Sequence, residues 1–176
     1  MVQWLIQDLA ANTQPWVIAY WHGPPYSKGS HDSDSTTDTL AWMVQMRENV
    51  VPILESFGVD LALCGHSHVH ERTWLIHGHY GFSSTFNESH KIDGGDGKLD
   101  GTGAYRQTED GIGTVYVSNG VGGQPQNPIS GQHPAHYVKI TGVLGSLVID
   151  VHGNQLDCKF MNTNGVALDY FTLVKN

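Results

Sequence analysis

The chain has 176 residues, a length that suits one domain with a well-buried core. Its 9 Lys and Arg against 17 Asp and Glu give a formal charge of −8, which argues against a nucleic-acid partner, because neutralising phosphates requires a basic face. No run approaches the roughly 18 apolar residues of a membrane span, and no basic segment followed by an apolar one marks a signal peptide at Met1. We therefore expect neither nucleic acid nor membrane as a partner.

The first elements are a helix, a strand and a loop. Residues 2–10 carry the apolar spacing of a buried helix with no cap before it, so we expect the chain to begin in mid-domain. The apolar run at residues 16–21 is typical of a strand covered on both faces, and His22 follows its carboxyl end. Residues 23–38 are rich in Gly, Pro, Ser, Thr and Asp, a composition that predicts a polar loop.

The next segment leads to a histidine motif. A periodic apolar face predicts a helix over residues 40–57, capped by Asp38 or the threonine before it, and Pro52 should kink or divide this helix. Residues 59–64 predict a second buried strand, which runs directly into Gly-His-Ser-His at residues 65–68. That junction is the most informative place in the sequence.

The second half of the chain is rich in strands. The long polar tract over residues 78–110 is expected to be a mobile excursion. Five strands are predicted, at residues 73–77, 114–118, 146–151, 155–161 and 170–174. Gly153 and Asn154 should form the turn of a hairpin between the strands at residues 146–151 and 155–161. Helices followed by sheet indicate an α+β fold of packed layers.

The histidines at the two strand ends favour metal chemistry. Side chains alternate on extended backbone, so His66 and His68 need a turn between them to converge, and Gly65 permits such tight geometry. Imidazoles placed in this way can reach two ions roughly 3.5–4 Å apart, the arrangement that clamps both oxygens of an in-line displacement at phosphorus. An isolated His-x-His is more often a polar loop. Here, however, His22 ends another apolar strand, and strand ends of layered proteins are where sites are built.

Two segments resemble sequence blocks of the calcineurin-like metallophosphoesterases, in their purple-acid-phosphatase-like branch. Residues 19–26 are similar to the strand-end VxxH block, and residues 59–73 are similar to the vDlvlxGHxHxYERt block. Residues 115–123 resemble the branch's glycine-rich vYvvxGxGG strand, and residues 145–175 resemble its carboxyl-terminal tail. The resemblance implies an α+β fold, part of a layered αββα sandwich. Residues 1–176 would then be the carboxyl-terminal portion of a single catalytic domain.

The resemblance also implies a reaction and a set of site residues. The reaction is acid-phosphatase-like hydrolysis of a phosphate ester at a dinuclear centre of Fe with Zn, Mn or Fe, whose ions activate water. His22 and His66 would bind one ion, and His68 would bind the other. His31, nine residues beyond His22, resembles the family's histidine that contacts phosphate or protonates the leaving group, the alternative being a solvated loop residue. Tyr26 either borders the substrate pocket or packs against the preceding proline.

Other polar residues of these blocks are expected to be structural. His70 stands where the family usually carries Tyr, so we expect it to pack or to donate hydrogen bonds near the site and not to bind metal. Glu71 and Arg72 should form an ion pair beneath the site. Six more histidines are expected at the surface, although the loop at residues 132–136 could overhang the site: His77, His79, His90, His133, His136 and His152.

The family's carboxylate-bearing blocks do not occur in the sequence. These are the GD, GDxxY and GNH(D/E) blocks, and three neutral imidazoles do not neutralise two multivalent cations without them. We therefore expect the amino-terminal half of the domain to be missing. Residues 1–176 alone should bind at most one ion, weakly, with no appreciable phosphatase activity. The strand edges exposed by a missing half would invite pairing with another chain.

Two other functions stay open. A phosphodiesterase or nucleotide hydrolase of the same superfamily would use the same kind of site, because the fold does not fix the ester. A non-catalytic module would retain the fold and at most one weakly held metal. The family resemblance suggests secretion or a lysosomal location, and Asn87-Glu88-Ser89 is a glycosylation sequon.

Overall fold

Three α-helices and eleven strands are present in the computed structural model, which describes residues 1–108, 111–129 and 131–175. The helices are α1 (Val2–Ala11), α2 (Trp42–Asn49) and α3 (Val51–Ser56). The strands are β1 (Ile18–Trp21), β2 (Leu61–Cys64), β3 (His70–Thr73), β4 (Leu75–Ile76), β5 (Lys91–Asp93), β6 (Tyr105–Arg106), β7 (Val115–Asn119), β8 (His136–Ile140), β9 (Gly145–His152), β10 (Gln155–Asn162) and β11 (Ala167–Val174). Short 3-10 helices lie at Asp38–Ala41, Ser83–Thr85 and Glu88–His90.

The strands form two larger sheets and one small one. The first sheet has the order β1-β2-β7-β3-β8, with β1, β2 and β7 parallel and β3 antiparallel to both of its neighbours. The second has the order β6-β11-β10-β9 and is antiparallel except for the parallel pair of β11 and β6. Strands β4 and β5 pair separately. The predicted α+β fold of packed layers is confirmed.

The main core lies between the two larger sheets. Alternation along each strand sends every second side chain to this inner face. Leu61 and Val117 of the first sheet meet Leu156 and Leu173 of the second, and each of these four side chains is at most 1% exposed. Val51 of α3 packs on the other face of the first sheet, in the same apolar cluster as side chains of β2 and β7. The parallel strands β1 and β2 are thereby held in fixed register.

The amino-terminal elements form as predicted but are more exposed than predicted. Helix α1 contains no buried residue, and its Trp4 is 64% exposed. Strand β1 is not covered on both faces, because Tyr20 is 83% exposed. The physical reason is position, because β1 is the outermost strand of its sheet.

Proline and glycine act as the sequence indicates. The helix predicted over residues 40–57 is divided into α2 and α3, with Pro52 in the first turn of α3, where its missing N–H removes no hydrogen bond. Gly58 then ends α3 with a positive φ of 68°. The predicted hairpin at Gly153 is confirmed, since β9 and β10 pair from His152 opposite Gln155 onward. In the described residues, no helix is long and apolar enough to cross a membrane.

Two strand predictions differ from the structure. The strand predicted at residues 73–77 is divided between β3 and β4, with a register irregularity at Thr73 where β3 pairs with β8. Strand β8 lies in a region for which no strand was predicted, and it forms by pairing with β3. Within the polar tract, residues 78–108 contain two 3-10 helices and strands β5 and β6. Glu109 and Asp110 lie outside the described residues, and the mobility of the tract stays a prediction.

Candidate metal centre

The two strand-end histidine segments meet at one edge of the first sheet. Strands β1 and β2 are adjacent and parallel, with Trp21 opposite Cys64, so their carboxyl ends lie side by side. His22 directly follows β1, and Gly65 N–H donates to the His22 carbonyl oxygen at 2.9 Å. The sheet register therefore brings His22 and His66 together.

The rings of His22 and His66 are spaced as ligands of one ion would be. His66 Nδ1 lies 3.3 Å from His22 Nε2, and the ring centroids are 5.1 Å apart at 72°. Two nitrogens that bind one ion tetrahedrally, each at about 2.0–2.1 Å, lie about 3.3–3.4 Å apart. A hydrogen bond between one protonated and one bare nitrogen has the same length, so the spacing fits both states.

His66 itself makes the turn that separates it from His68. Its φ is +60°, in the left-handed region, whereas Gly65 has no positive φ. The expectation that Gly65 would provide the special backbone geometry is wrong in this respect. A non-glycine residue in this region costs roughly 1–3 kcal/mol, and such strain is typical of functional sites. Close backbone hydrogen bonds from Ser67 N–H to the Gly65 oxygen at 2.6 Å and from Val69 N–H to the Ser67 oxygen at 2.8 Å hold the turn.

Two ring nitrogens of this motif are buried and have no partner. Among the described residues, His66 Nε2 and His68 Nδ1 have no hydrogen-bond partner, and the same holds for one ring nitrogen each of His79 and His133. Buried polar atoms are normally satisfied, so such atoms call for an explanation, and a metal ion would provide one. Burial lowers the pKa of His66, and the neighbouring His31 and His22 lower it further. These effects favour the neutral imidazole, which is the form that binds metal.

The loop that follows β1 brings His31 next to His66. The His31 and His66 rings are 3.9 Å apart at 33°, and His31 Nδ1 lies 2.7 Å from Asp38 Oδ2. His22, His31 and His66 thus form a histidine cluster. Trp42 borders it, with its ring 5.4 Å from that of His66 and 5.8 Å from that of His22. His68 has no ring contact with these side chains in the structure, and its backbone N–H donates to Ser30 Oγ at 2.9 Å.

Glu71 holds this loop in place. Its Oε2 accepts from Ser27 Oγ at 2.6 Å, and its Oε1 accepts from Lys28 N–H at 3.0 Å. Burial alone would raise the pKa of Glu71, but the His136 ring, 3.4 Å away, and the hydrogen bonds from the loop lower it. Ser30 N–H donates to Ser67 Oγ at 3.1 Å, which ties the loop directly to the His66 turn.

The predicted ion pair between Glu71 and Arg72 is wrong. Adjacent residues on strand β3 point to opposite faces, so the two side chains cannot meet. Arg72 instead binds Asp169 of β11 in a bidentate pair, Nε to Oδ2 at 2.7 Å and Nη2 to Oδ1 at 2.9 Å. His70 stacks on Phe160 at 4.2 Å and contacts Asp169 Oδ2 at 3.1 Å, so the prediction that it packs is confirmed.

Tyr26 and three of the additional histidines are buried. Tyr26 is 2% exposed, and its hydroxyl donates to the His79 oxygen at 2.5 Å, so the side chain is packed in the interior; its predicted contacts with the preceding proline and with substrate stay predictions. His79, His133 and His136 are at most 2% exposed, so the surface prediction is wrong for them. The loops that carry His79 and His133 fold onto Tyr26, with ring distances of 5.8 and 5.4 Å. The surface prediction is confirmed for His152, which is exposed; the two remaining histidines, His77 and His90, are half-buried.

Asp38 is the site residue that sequence reasoning missed. In the described parts of the chain, His31, Asp38 and His66 form the one group of three side chains whose ligand atoms all lie within 4.8 Å of one another. The sequence indicated only a helix cap for Asp38, because an aspartate in a polar loop before a helix is typical of that role. No local pattern distinguishes it from Asp32 or Asp34 in the same loop. Only the folded loop directs it toward His31.

Comparison with known proteins identifies related sequences. The Calcineurin-like phosphoesterase family matches residues 2–70. Purple acid phosphatase 15 of Arabidopsis thaliana is 35% identical over 74 residues, which are 40% of this chain and 13% of that protein. Acid phosphatase type 7 of Danio rerio is 29% identical over 100 residues, which are 49% of this chain and 22% of that protein. The matches thus span less than a quarter of these relatives' length.

Solved structures share the fold. A purple acid phosphatase, PPD1, from yellow lupin (Lupinus luteus) seeds matches 99% of this chain and 28% of its own, with a TM-score of 0.74 and 19% identity. GAP50, described as the anchor in the inner membrane complex of Plasmodium, matches 98% of this chain and 41% of its own, with a TM-score of 0.60 and 16% identity. PhoD matches with a TM-score of 0.57 and 12% identity over 99% of this chain and 33% of its own. At these identities the likeness shows the fold.

Proposed function

We propose, from the chain's resemblance in sequence and fold to the calcineurin-like phosphoesterases of the purple-acid-phosphatase branch, that it supplies the histidine side of a two-metal centre that hydrolyses phosphate monoesters. The observation that carries the proposal is the convergence of His22 and His66 at neighbouring strand ends, together with the unpartnered ring nitrogens of His66 and His68.

The residues divide into ligands and a substrate-facing group. His22 and His66 would hold one ion and His68 the other, as Fe with Zn, Mn or Fe. When bound, the ions supply a water activated for attack and stabilise charge on the phosphoryl oxygens. His31 would contact the phosphate or give a proton to the leaving oxygen, a role that requires only hydrogen-bond reach. With its Nδ1 held by Asp38, the His31 Nε2 is the atom free for that contact.

The fold alone does not decide between catalysis and binding. One solved structure with this fold is described as an anchor, so a non-catalytic module is the second candidate. The meeting of His22 and His66 at neighbouring strand ends favours the metal-binding enzyme. A diester or nucleotide substrate would use the same histidines. We also propose secretion or a lysosomal location, as the resemblance suggests.

The decisive experiment measures metal content and turnover together. In the full-length protein, His22→Ala and His66→Ala should lose the same ion, whereas His68→Ala should lose the other. His31→Ala should lower turnover of an aryl phosphate monoester roughly 10²-fold or more with unchanged metal content. Residues 1–176 alone should bind at most one ion, weakly, with no appreciable turnover.

Three results would contradict the proposal. Full-length protein that binds metal but hydrolyses neither monoester nor diester would favour the module. Faster hydrolysis of a diester than of the matched monoester would favour a phosphodiesterase. Two tightly bound ions and turnover in residues 1–176 alone would refute the idea of a half-site. The exposed His152→Ala is the matched control and should change neither metal content nor rate.

A further inference from the structure

The contact between His31 and Asp38 is the shortest polar contact in the histidine cluster. His31 Nδ1 and Asp38 Oδ2 are 2.7 Å apart, a length typical of a charge-assisted hydrogen bond. Both side chains are partly shielded, at 30% and 27% exposed. The pair joins the middle of the loop between β1 and α2 to the part just before α2, so the fold of this loop brings it together.

Only Asp38 among the acidic residues of this loop is directed at a histidine. Asp32 binds Lys28 Nζ at 2.5 Å, and Asp34 binds Arg47 Nη2 at 3.1 Å. These two carboxylates hold basic side chains, whereas Asp38 has His31 as its side-chain partner. Its own N–H donates to Ser35 Oγ at 2.9 Å, which fixes its backbone.

An unusual backbone segment follows Asp38 and sets its direction. Thr39, Leu40 and Ala41 have positive φ values of 49°, 57° and 59°. Left-handed conformations of non-glycine residues cost roughly 1–3 kcal/mol each, and they persist only where the surrounding structure imposes them. This turn passes from Asp38, against His31, to Trp42, against His22 and His66.

A carboxylate at Nδ1 determines which nitrogen of His31 can act. An ionised carboxylate only accepts hydrogen bonds, so Nδ1 must carry a proton to make this contact. The hydrogen bond made by one ring nitrogen sets the state of the other, and here it leaves Nε2 as the working atom. The ring lies 3.9 Å from that of His66, so a rotation of His31 would change its placement beside His66.

We infer that Asp38 is a positioning residue, which holds the His31 ring with its proton on Nδ1 and so leaves Nε2 to meet the leaving oxygen of a bound phosphate ester. This inference rests on the proposed function for the identity of the substrate. The hydrogen-bond geometry itself does not depend on that function. A nucleophile or acid oriented through a third group is a recurrent arrangement in active sites.

The first test is spectroscopic and needs no activity. Long-range proton–nitrogen NMR of nitrogen-15-labelled residues 1–176 without metal, at a pH where the ring is neutral, should show His31 as the Nδ1–H tautomer. Asp38→Ala should remove that preference, whereas Asp32→Ala, which removes the same charge from the same loop, should leave it intact. An Nε2–H tautomer in the wild type, or a tautomer unaffected by Asp38→Ala, would overturn the inference.

The second test is a double-mutant cycle in the full-length protein. Asp38→Ala should lower turnover roughly 10–100-fold, the usual loss for an orienting partner, with unchanged metal content, and Asp38→Glu should restore part of it. His31→Ala with Asp38→Ala should be no slower than His31→Ala alone, because Asp38 acts only through His31. Multiplicative losses in the double variant would overturn the inference. If His31→Ala alone has no effect, the proposed role of His31 falls, while the tautomer test still decides the role of Asp38.

Discussion

His79 should make the fold sensitive to acid. The ring is 1% exposed, and burial, opposed in part by a hydrogen bond from Nε2–H to the Phe82 oxygen, lowers its pKa from 6.5 to about 4. The unfolded chain therefore binds more protons than the folded chain between about pH 6.5 and 4, and stability falls as the pH falls through this window. A difference of about 2.5 pH units, at about 1.36 kcal/mol per unit, is worth about 3 kcal/mol. Burial also lowers the pKa of His133, which acts in the same direction.

The measurement is the free energy of unfolding of residues 1–176 in urea, without metal, at a series of pH values from about 7.5 to 4. In His79→Gln the amide nitrogen can take the place of Nε2, which lies 3.2 Å from the Phe82 oxygen and 3.1 Å from Thr85 Oγ1. This variant should lose about 3 kcal/mol less than the wild type between pH 7 and 4. The exposed His152→Gln is the matched control and should follow the wild type. If the free energy of unfolding falls equally with pH in His79→Gln and in the wild type, the reasoning is refuted.

Two further changes test how the core and the site are held. Asp169→Asn should cost about 3–5 kcal/mol in urea unfolding, because Arg72, 0% exposed, would lose its buried charge partner. The exposed Asp150→Asn should cost almost nothing, and an equal loss would contradict this account. Gly29→Ala should cost about 1–3 kcal/mol and, under the proposed function, reduce His31-dependent turnover, since its Cβ would lie 2.1 Å from Ser67 Oγ, in the turn between His66 and His68. A Cβ at Gly123 meets nothing within 4 Å, so Gly123→Ala with the same loss would refute the steric argument.

Local signals were enough to predict most elements and the principal site residues. Pro52 and Gly58 mark helix boundaries through backbone constraints that act within one or two residues. Two apolar runs that end in histidine predict strands with His22 and His66 at their carboxyl ends. The parallel pairing of those strands then brings His66 Nδ1 to 3.3 Å from His22 Nε2, as a layered fold implies.

Long-range contacts explain where the sequence predictions were wrong. Arg72 pairs with Asp169, a residue 97 positions away, and no pattern around Arg72 specifies that partner. His79 lies between two nearby glycines and His133 precedes a proline, residues that are typical of surface loops, yet both loops fold onto Tyr26 and bury the rings.

The sequence by itself determined the layered fold, its resemblance to a phosphoesterase family and the histidines at the strand ends. Periodicity, proline, glycine and motif spacing are properties of short segments, and short segments determine these features. Only the tertiary structure decided that Asp38 meets His31 and that His66 makes the left-handed turn. Each of these depends on how a loop without regular hydrogen bonding packs against the rest of the molecule, and residue types within the loop do not specify that packing.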